Sequence, residues 1–116
     1  MVRKPEFVEN FMVKPVYKID EKDTIQKAQK SMESNRTEFL IVTRNDIPVG
    51  ILEDWRIWDV EKTKTVEHIR DKLLPVSMVR KGTPVQRVTQ QLKGKTAVII
   101  DDDDEIVGVM RARELV

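Results

Sequence analysis

The feature that most constrains the fold of this chain is an internal repeat, because self-similarity at a fixed offset means that one structural unit occurs twice. Short blocks recur in the same order and with nearly the same spacing. The matched blocks are 14–19 with 74–79, 23–28 with 83–88, Met32 with Leu92, 39–42 with 97–100, and 49–52 with 107–110. The offset is 60 at first and 58 afterwards, so the second copy lacks two residues in a loop.

Each copy contains the same series of local patterns. An extended apolar segment comes first, and a side-chain acceptor then stands three residues before a Gln, which is typical of a capped helix start. These acceptor–Gln pairs are Asp23–Gln26 and Thr83–Gln86. Two apolar strands joined by a polar turn follow, and a closing helix is predicted over 54–60 in the first copy and from Arg111 onward in the second. Each copy therefore reads as β-α-β-β-α.

A copy of about 58 residues has little core of its own, so the two copies are expected to bury their apolar faces together. We predict an α+β fold in which two β-α-β-β-α repeats pack pseudo-symmetrically through their sheets. Repeat 1 is assigned to 1–60, and the linker with repeat 2 to 61–116. In the linker, Val66, Ile69 and Leu73 are spaced to begin the second copy.

The composition excludes several kinds of site. The chain has no Cys and only one His, His68, which excludes a thiolate nucleophile, a Cys-ligated metal site and a multi-histidine metal site within one chain. The acidic run Asp101–Glu105 is interpreted as a turn between strands rather than a cation site. There is no paired acid and base and no Gly-rich phosphate loop. We therefore expect no catalytic residues, no enzyme activity, no metal and no cofactor.

The sequence also carries no sign of membrane targeting. No apolar run approaches the roughly 20 residues of a membrane-spanning helix, and no signal peptide is visible. We expect a cytoplasmic protein without membrane contacts. The chain ends early in the second closing helix, so we interpret it as either a minimal protein or a fragment of a longer one.

The repeat resembles a pair of cystathionine-β-synthase (CBS) domains, also called a Bateman module, from about Glu6 to Val116. The features that carry the resemblance are the Pro-Val-x-x-hydrophobic strand, the helix that ends in Met32 or Leu92, the strand–turn–strand and the Gly-hydrophobic-hydrophobic close. The resemblance implies a regulatory module that senses an adenosyl compound (AMP, ADP, ATP or S-adenosylmethionine) in the cleft between the repeats. It also implies a homodimer of modules and a regulated partner such as an enzyme or a transporter.

Repeat 2 keeps part of the family's ligand motif, Gly-h-h-Ser/Thr-x-x-Asp, in which h is hydrophobic, the Asp binds the ribose and the hydroxyl contacts phosphate. Its sequence, 108–114, retains a carboxylate at Glu114 and offers Arg111 and Arg113 to phosphate oxygens. The resemblance therefore favours repeat 2 as the ligand site. The expected ligand-binding residues there are Val76, Ser77, Met78, Ala97, Val98, Met110, Arg111, Arg113 and Glu114.

Repeat 1 departs further from the motif. Glu53 stands where the hydroxyl belongs and repels an anion. Arg56 stands where the Asp belongs and has no acceptor for a ribose hydroxyl. We interpret this site as empty or as holding another ligand, and we interpret Trp55 and Trp58 as packing residues of an interface. The corresponding repeat-1 residues are Val16, Tyr17, Phe39, Glu53 and Arg56.

Two other functions remain open from the sequence. The first is a structural dimerisation or partner-docking module with inactive ligand sites, which the loss of Ser/Thr from both motifs supports. The second is nucleic-acid binding through 62–95, a stretch that contains nine basic residues and only two acidic ones. A net charge of +1 and the absence of interleaved aromatic residues argue against this second alternative.

Overall fold

A computed structural model describes residues 6–111 of the chain. The described residues form two three-stranded sheets with the same strand order, each covered by one α-helix. The predicted α+β class with two repeats is therefore confirmed. In the part of the chain that the structure describes, no helix is both long and apolar enough to cross a membrane.

The contacts divide the chain into two compact units. One unit contains residues 17–75, and the other contains residues from 76 onward together with the N-terminal residues up to 16. We call them the repeat-1 unit and the repeat-2 unit. The boundary at 60/61 concerns the sequence repeat and stays a prediction.

The repeat-1 unit is a β-α-β-β arrangement followed by two short 3-10 helices. Its central strand pairs parallel with the first strand and antiparallel with the third. The apolar face of the α-helix covers one side of the sheet, where Ile19, Ala28 and Leu52 belong to one buried core. The elements are β1 (Lys18–Asp20), α1 (Ile25–Asn35), β2 (Phe39–Arg44), β3 (Ile47–Glu53) and the 3-10 helices Asp54–Ile57 and Val66–Lys72.

The repeat-2 unit repeats this arrangement. Its central strand again has one parallel and one antiparallel neighbour. Val88 and Leu92 on the α-helix pack against Ala97 and Met110 of the sheet. The elements are the 3-10 helix Val8–Asn10, β4 (Val76–Arg80), α2 (Val85–Leu92), β5 (Thr96–Ile100) and β6 (Ile106–Met110).

The segment that precedes each repeat packs away from the repeat it introduces. Residues 6–13, which we call the N-terminal arm, pair through Val13 with Val109 of β6 by two backbone hydrogen bonds of 2.7 and 3.2 Å. Residues 62–74, which we call the linker arm, pair in the same way through Leu74 with Ile51 of β3, at 2.9 and 3.0 Å. Each arm therefore covers the outer edge of a third strand, whose backbone groups would otherwise lack partners.

The linker arm differs from its predicted role. Its buried residues Val66 and Ile69 belong to the core of the repeat-1 unit instead of beginning the second copy. The amide nitrogen of Ile25 donates to the carbonyl of Lys64 at 2.8 Å, so the arm also holds the start of α1. The apolar spacing correctly predicts the buried residues Val66 and Ile69, but spacing does not indicate which core a segment joins.

The structure also corrects the alignment of the two copies by one residue. The sequence match places Phe39 opposite Ala97, whereas the structure places Leu40 and Ala97 at the same position, since both join the core beneath their helix. The residue equivalent to Phe39 is consequently Thr96. A shift of one residue moves a strand side chain to the other face of the sheet, so this correction changes which residues belong to each candidate site.

The helix ends differ from the predicted capping boxes. Thr24, and not Asp23, is the N-cap of α1, and its hydroxyl accepts from the amide of Lys27 at 3.1 Å. In α2 the cap position falls on Pro84, which has no side-chain hydrogen bond to offer. The closing helix predicted over 54–60 is a single 3-10 helix, Asp54–Ile57, and its counterpart after Arg111 lies outside the described residues.

Candidate ligand-binding faces

Each sheet has a second face, opposite its α-helix, which we call the far face. In the repeat-2 unit, Val98 pairs with Met78 on one side and with Val109 on the other, so these three residues share the far face. Val98 and Val109 are fully buried, while the Met78 side chain is half exposed. Thr96, paired with Val76, lies at the start of β5 and is also buried.

The predicted repeat-2 residues divide between the two faces. Ser77, Ala97 and Met110 form one row across the sheet, and Ala97 and Met110 lie in the core beneath α2. Val76, Met78 and Val98 lie on the far face. A ligand on the far face would meet only this second set through side chains.

Arg111 follows β6 directly, at the position that Glu53 takes at the end of β3. It is half-buried and engaged in an interaction within the chain. Arg113 and Glu114, the other two charged residues of the predicted site, lie outside the described residues.

Two of the predicted repeat-1 residues are brought together. Phe39 and Glu53 are direct partners across β2 and β3, on the far face that Ile41 and Ile51 also share. Tyr17 packs instead against the core on the helix side, and its carbonyl accepts from the amide of Ile41 at 2.8 Å. Val16 belongs to the repeat-2 unit.

Arg56 lies apart from this pair, on the 3-10 helix after β3. Its guanidinium carbon is 3.8 Å from the centre of the Trp55 ring, a stacked cation–π arrangement. Its Nε is buried and has no hydrogen-bond partner among the described residues. Arg56 is therefore a cation whose only interaction in this region is with an aromatic face.

The shortest ion pair among the described residues lies outside both predicted sites. Glu21 is almost fully buried and accepts from Arg44 Nε at 2.6 Å and from Nη2 at 3.0 Å. This bidentate hydrogen bond from Arg44 lowers the pKa of the Glu21 carboxyl. The pair joins the end of β2 to the residue after β1 and reads as a structural contact.

The acidic run has the local structure of a turn. Asp101 Oδ1 accepts from the amides of Asp103 and Glu105, both at 2.9 Å, and Asp104 pairs with Arg80 at 2.9 Å. Within residues 6–111, no cluster of three His, Cys, Asp or Glu side chains is arranged to hold a metal ion.

Sequence reasoning missed Thr96 as a far-face residue. The missing signal was strand register, because the apolar runs 97–100 and 39–42 match in hydrophobicity and Thr96 is the polar residue just before the later run. The alternation of burial in the two helix-side cores was the information needed to fix this register.

Comparisons with known proteins agree with this geometry. Residues 8–57 match the family model of the CBS domain. A crystal structure of a hemolysin-like CBS-containing protein of Oenococcus oeni superposes with a TM-score of 0.72 at 16% identity, over 96% of this chain and 88% of that one. The fold is that of a CBS domain pair.

Two further CBS structures were determined with ligands. A CBS domain pair in complex with 5′-methylthioadenosine and S-adenosyl-L-methionine has a TM-score of 0.65 at 20% identity, covering 97% of this chain and 94% of that one. The CBS domain of a bacterial CNNM/CorC family Mg²⁺ transporter in complex with ATP has a TM-score of 0.68 at 16% identity, covering 94% and 83%. No curated protein sequence matches this chain.

The glycine of the motif has a packing role in both repeats. A Cβ added to Gly50 would lie 2.7 Å from the Leu73 Cβ, and one added to Gly108 would lie 2.7 Å from the Met12 Sδ. Both glycines are therefore required by the close approach of an arm to the third strand.

Proposed function

We propose that this CBS pair is a regulatory module that binds an adenosyl compound at repeat 2. Two proteins of the same fold bind such compounds, one S-adenosyl-L-methionine with 5′-methylthioadenosine and the other ATP. The effect of binding would pass to a partner, and one relative of this fold belongs to a transporter.

The observation that carries the proposal is the placement of Arg111. It follows the buried residue Met110 at the end of β6, next to the start of β5 where Thr96 lies on the far face. An arginine at this point supports a phosphate or a carboxylate by charge-assisted hydrogen bonds. Glu114 supplies the ribose acceptor in the proposal, and Arg113 supplies a second cation.

The residues of repeat 1 argue against an equivalent site there. Glu53 occupies the position of Arg111 and pairs with Phe39 across the sheet. A carboxylate there opposes a phosphate, because like charges in a partly desolvated site repel strongly. We propose a single adenosyl site per chain.

The proposal is tested by mass spectrometry of ligands that co-purify with the native protein. We expect an adenosyl compound in the wild type and its loss in Glu114→Ala. Glu105→Ala, an exposed carboxylate in the β5–β6 turn, is the matched control and should retain the ligand. Retention by Glu114→Ala with an unchanged melting temperature would contradict the assignment of the ribose acceptor.

A second candidate function is a structural dimerisation module without ligands. Glu53 and Arg56 in place of the motif's hydroxyl and Asp are the observation that favours it. It predicts a dimer whose mass by light scattering is the same with and without nucleotides, and no thermal shift with any adenosyl compound.

A further inference from the structure

Both tryptophans of the chain lie on the surface around one pocket. Trp55 is 47% exposed and Trp58 is 76% exposed, which is unusual for the largest apolar side chain. The pocket that they line has a volume of about 370 Å³ and includes Arg56, Asp59 and Lys72. This volume falls within the range of about 300–1,000 Å³ that is typical of small-molecule sites.

Arg56 is the chemical centre of this pocket. It stacks on the face of the Trp55 ring, and stacking leaves the donors in the guanidinium plane available to an acceptor. Among the described residues, Arg56 forms no ion pair and no side-chain hydrogen bond, and its buried Nε is unpaired. A buried donor without a partner carries a desolvation cost, which an anion bound in the guanidinium plane would offset.

Lys72 brings a second cation to the same pocket. It ends the 3-10 helix Val66–Lys72 and has no ion pair with any residue in 6–111. Asp59 is the only carboxylate among the described lining residues, so the lining keeps a net positive charge. Two cations beside two exposed indole rings suit a ligand that combines a flat ring with a negative group.

We propose that the pocket formed by Trp55, Arg56, Trp58, Asp59 and Lys72 binds a small planar anion, namely an aromatic phosphate or carboxylate. The guanidinium of Arg56 receives the anionic group, Lys72 adds charge, and the indole of Trp58 stacks on the ring. The site is separate from the proposed adenosyl site, and neither proposal depends on the other.

The test uses the indole N–H signals in a ¹⁵N NMR spectrum of the full chain. The chain has only two tryptophans, so both indole signals report on this pocket. Titration with phenyl phosphate and with benzoate should shift both signals and reach saturation. Benzyl alcohol, which has the ring without the charge, should cause no saturable shift.

Variants assign the effect to the two cations. Arg56→Gln should weaken phenyl phosphate binding about tenfold or more, because it removes the charge-assisted hydrogen bonds. Lys72→Gln, on an exposed side chain, should weaken it less and leave the fold intact. Arg87→Gln on the exposed side of α2 is the matched control and should bind like the wild type.

Four results would overturn the proposal. They are the absence of a saturable shift with both anions, an equal response to benzyl alcohol, unchanged affinity in Arg56→Gln, and indole shifts that follow protein concentration alone. The last result would assign the indoles to a contact between copies of the chain.

Discussion

At the residue scale, Gly50 and Gly108 allow an arm to pack closely against a strand because they have no side chain. At Gly50 an added methyl group would meet the Cβ of Leu73, which moves only with the backbone. At Gly108 the nearest atom is the Met12 Sδ, the flexible end of a long side chain, although the Val13 carbonyl oxygen at 3.0 Å is also close. The same substitution should therefore have unequal effects in the two repeats.

We predict that Gly50→Ala lowers the free energy of unfolding by about 1–3 kcal/mol, the usual range for overpacking. Gly108→Ala should lower it by less, because Met12 can adopt another rotamer. Urea denaturation of both variants measures the difference. An equal or larger loss in Gly108→Ala would show that the Val13 backbone, rather than Met12, limits the space.

The Glu21–Arg44 pair predicts a specific acid sensitivity. Because the bond from Arg44 lowers the pKa of Glu21 in the folded state, the pair stabilises the fold above the unfolded pKa of about 4.5, and this contribution is lost as the pH falls through the lower folded value. In Glu21→Gln the free energy of unfolding should therefore fall less steeply as the pH drops below about 4.5. Denaturation curves at several pH values measure this free energy, and a pH dependence like that of the wild type would contradict the assignment to Glu21. Asp46→Asn, an exposed carboxylate without an ion pair among the described residues, is the control.

At the scale of the elements, the two helices of the repeat differ in how they begin. Thr24 caps α1 with its hydroxyl, whereas Pro84 before α2 provides no cap. Thr24→Ala should lower the free energy of unfolding by about 0.5–2 kcal/mol. Thr63→Ala, in the exposed part of the linker arm, should have little effect in the same denaturation assay. Equal losses in the two variants would show that the cap does not limit the stability of α1.

The helices and strands were predictable from the sequence where the spacing of apolar residues and the polar turns define them. The apolar spacing of Ile25, Ala28 and Met32 identified α1, and the apolar run from Ala97 identified β5. The register of β5 was not predictable, because that strand is buried on both faces and shows no alternation to fix it. The one-residue shift places the Ala97 side chain in the helix-side core and Thr96 on the far face, whereas the place of Ala97 in the ligand site stays a prediction.

At the scale of the whole chain, the feature that the sequence did not indicate is the pairing of each arm with a distant sheet. Val8 of the N-terminal arm is fully buried in the core of the repeat-2 unit, and its amide donates to the Thr83 carbonyl at 3.0 Å. Local patterns identify an apolar segment but carry no information on contacts between residues far apart in the chain. The structure was needed to place both arms.

Val8→Ala should therefore destabilise residues about 70 positions away in the sequence. We expect a loss of about 1–3 kcal/mol, which is typical of truncating a buried side chain. Hydrogen exchange should show reduced protection in β4, β5 and β6 and little change in β1 to β3. Lost protection confined to β1, β2 and β3 would contradict the assignment of the N-terminal arm to the repeat-2 unit.

The central claim, that repeat 2 binds an adenosyl compound, is tested most directly by isothermal titration calorimetry of the full chain with AMP, ADP, ATP and S-adenosylmethionine in turn. We predict saturable binding of at least one of them at repeat 2. Glu114→Ala should remove this repeat-2 binding, and Glu105→Ala should retain it. Absence of binding by all four compounds at millimolar concentration, in a protein purified free of ligand, would contradict adenosyl binding at repeat 2 and favour a structural role.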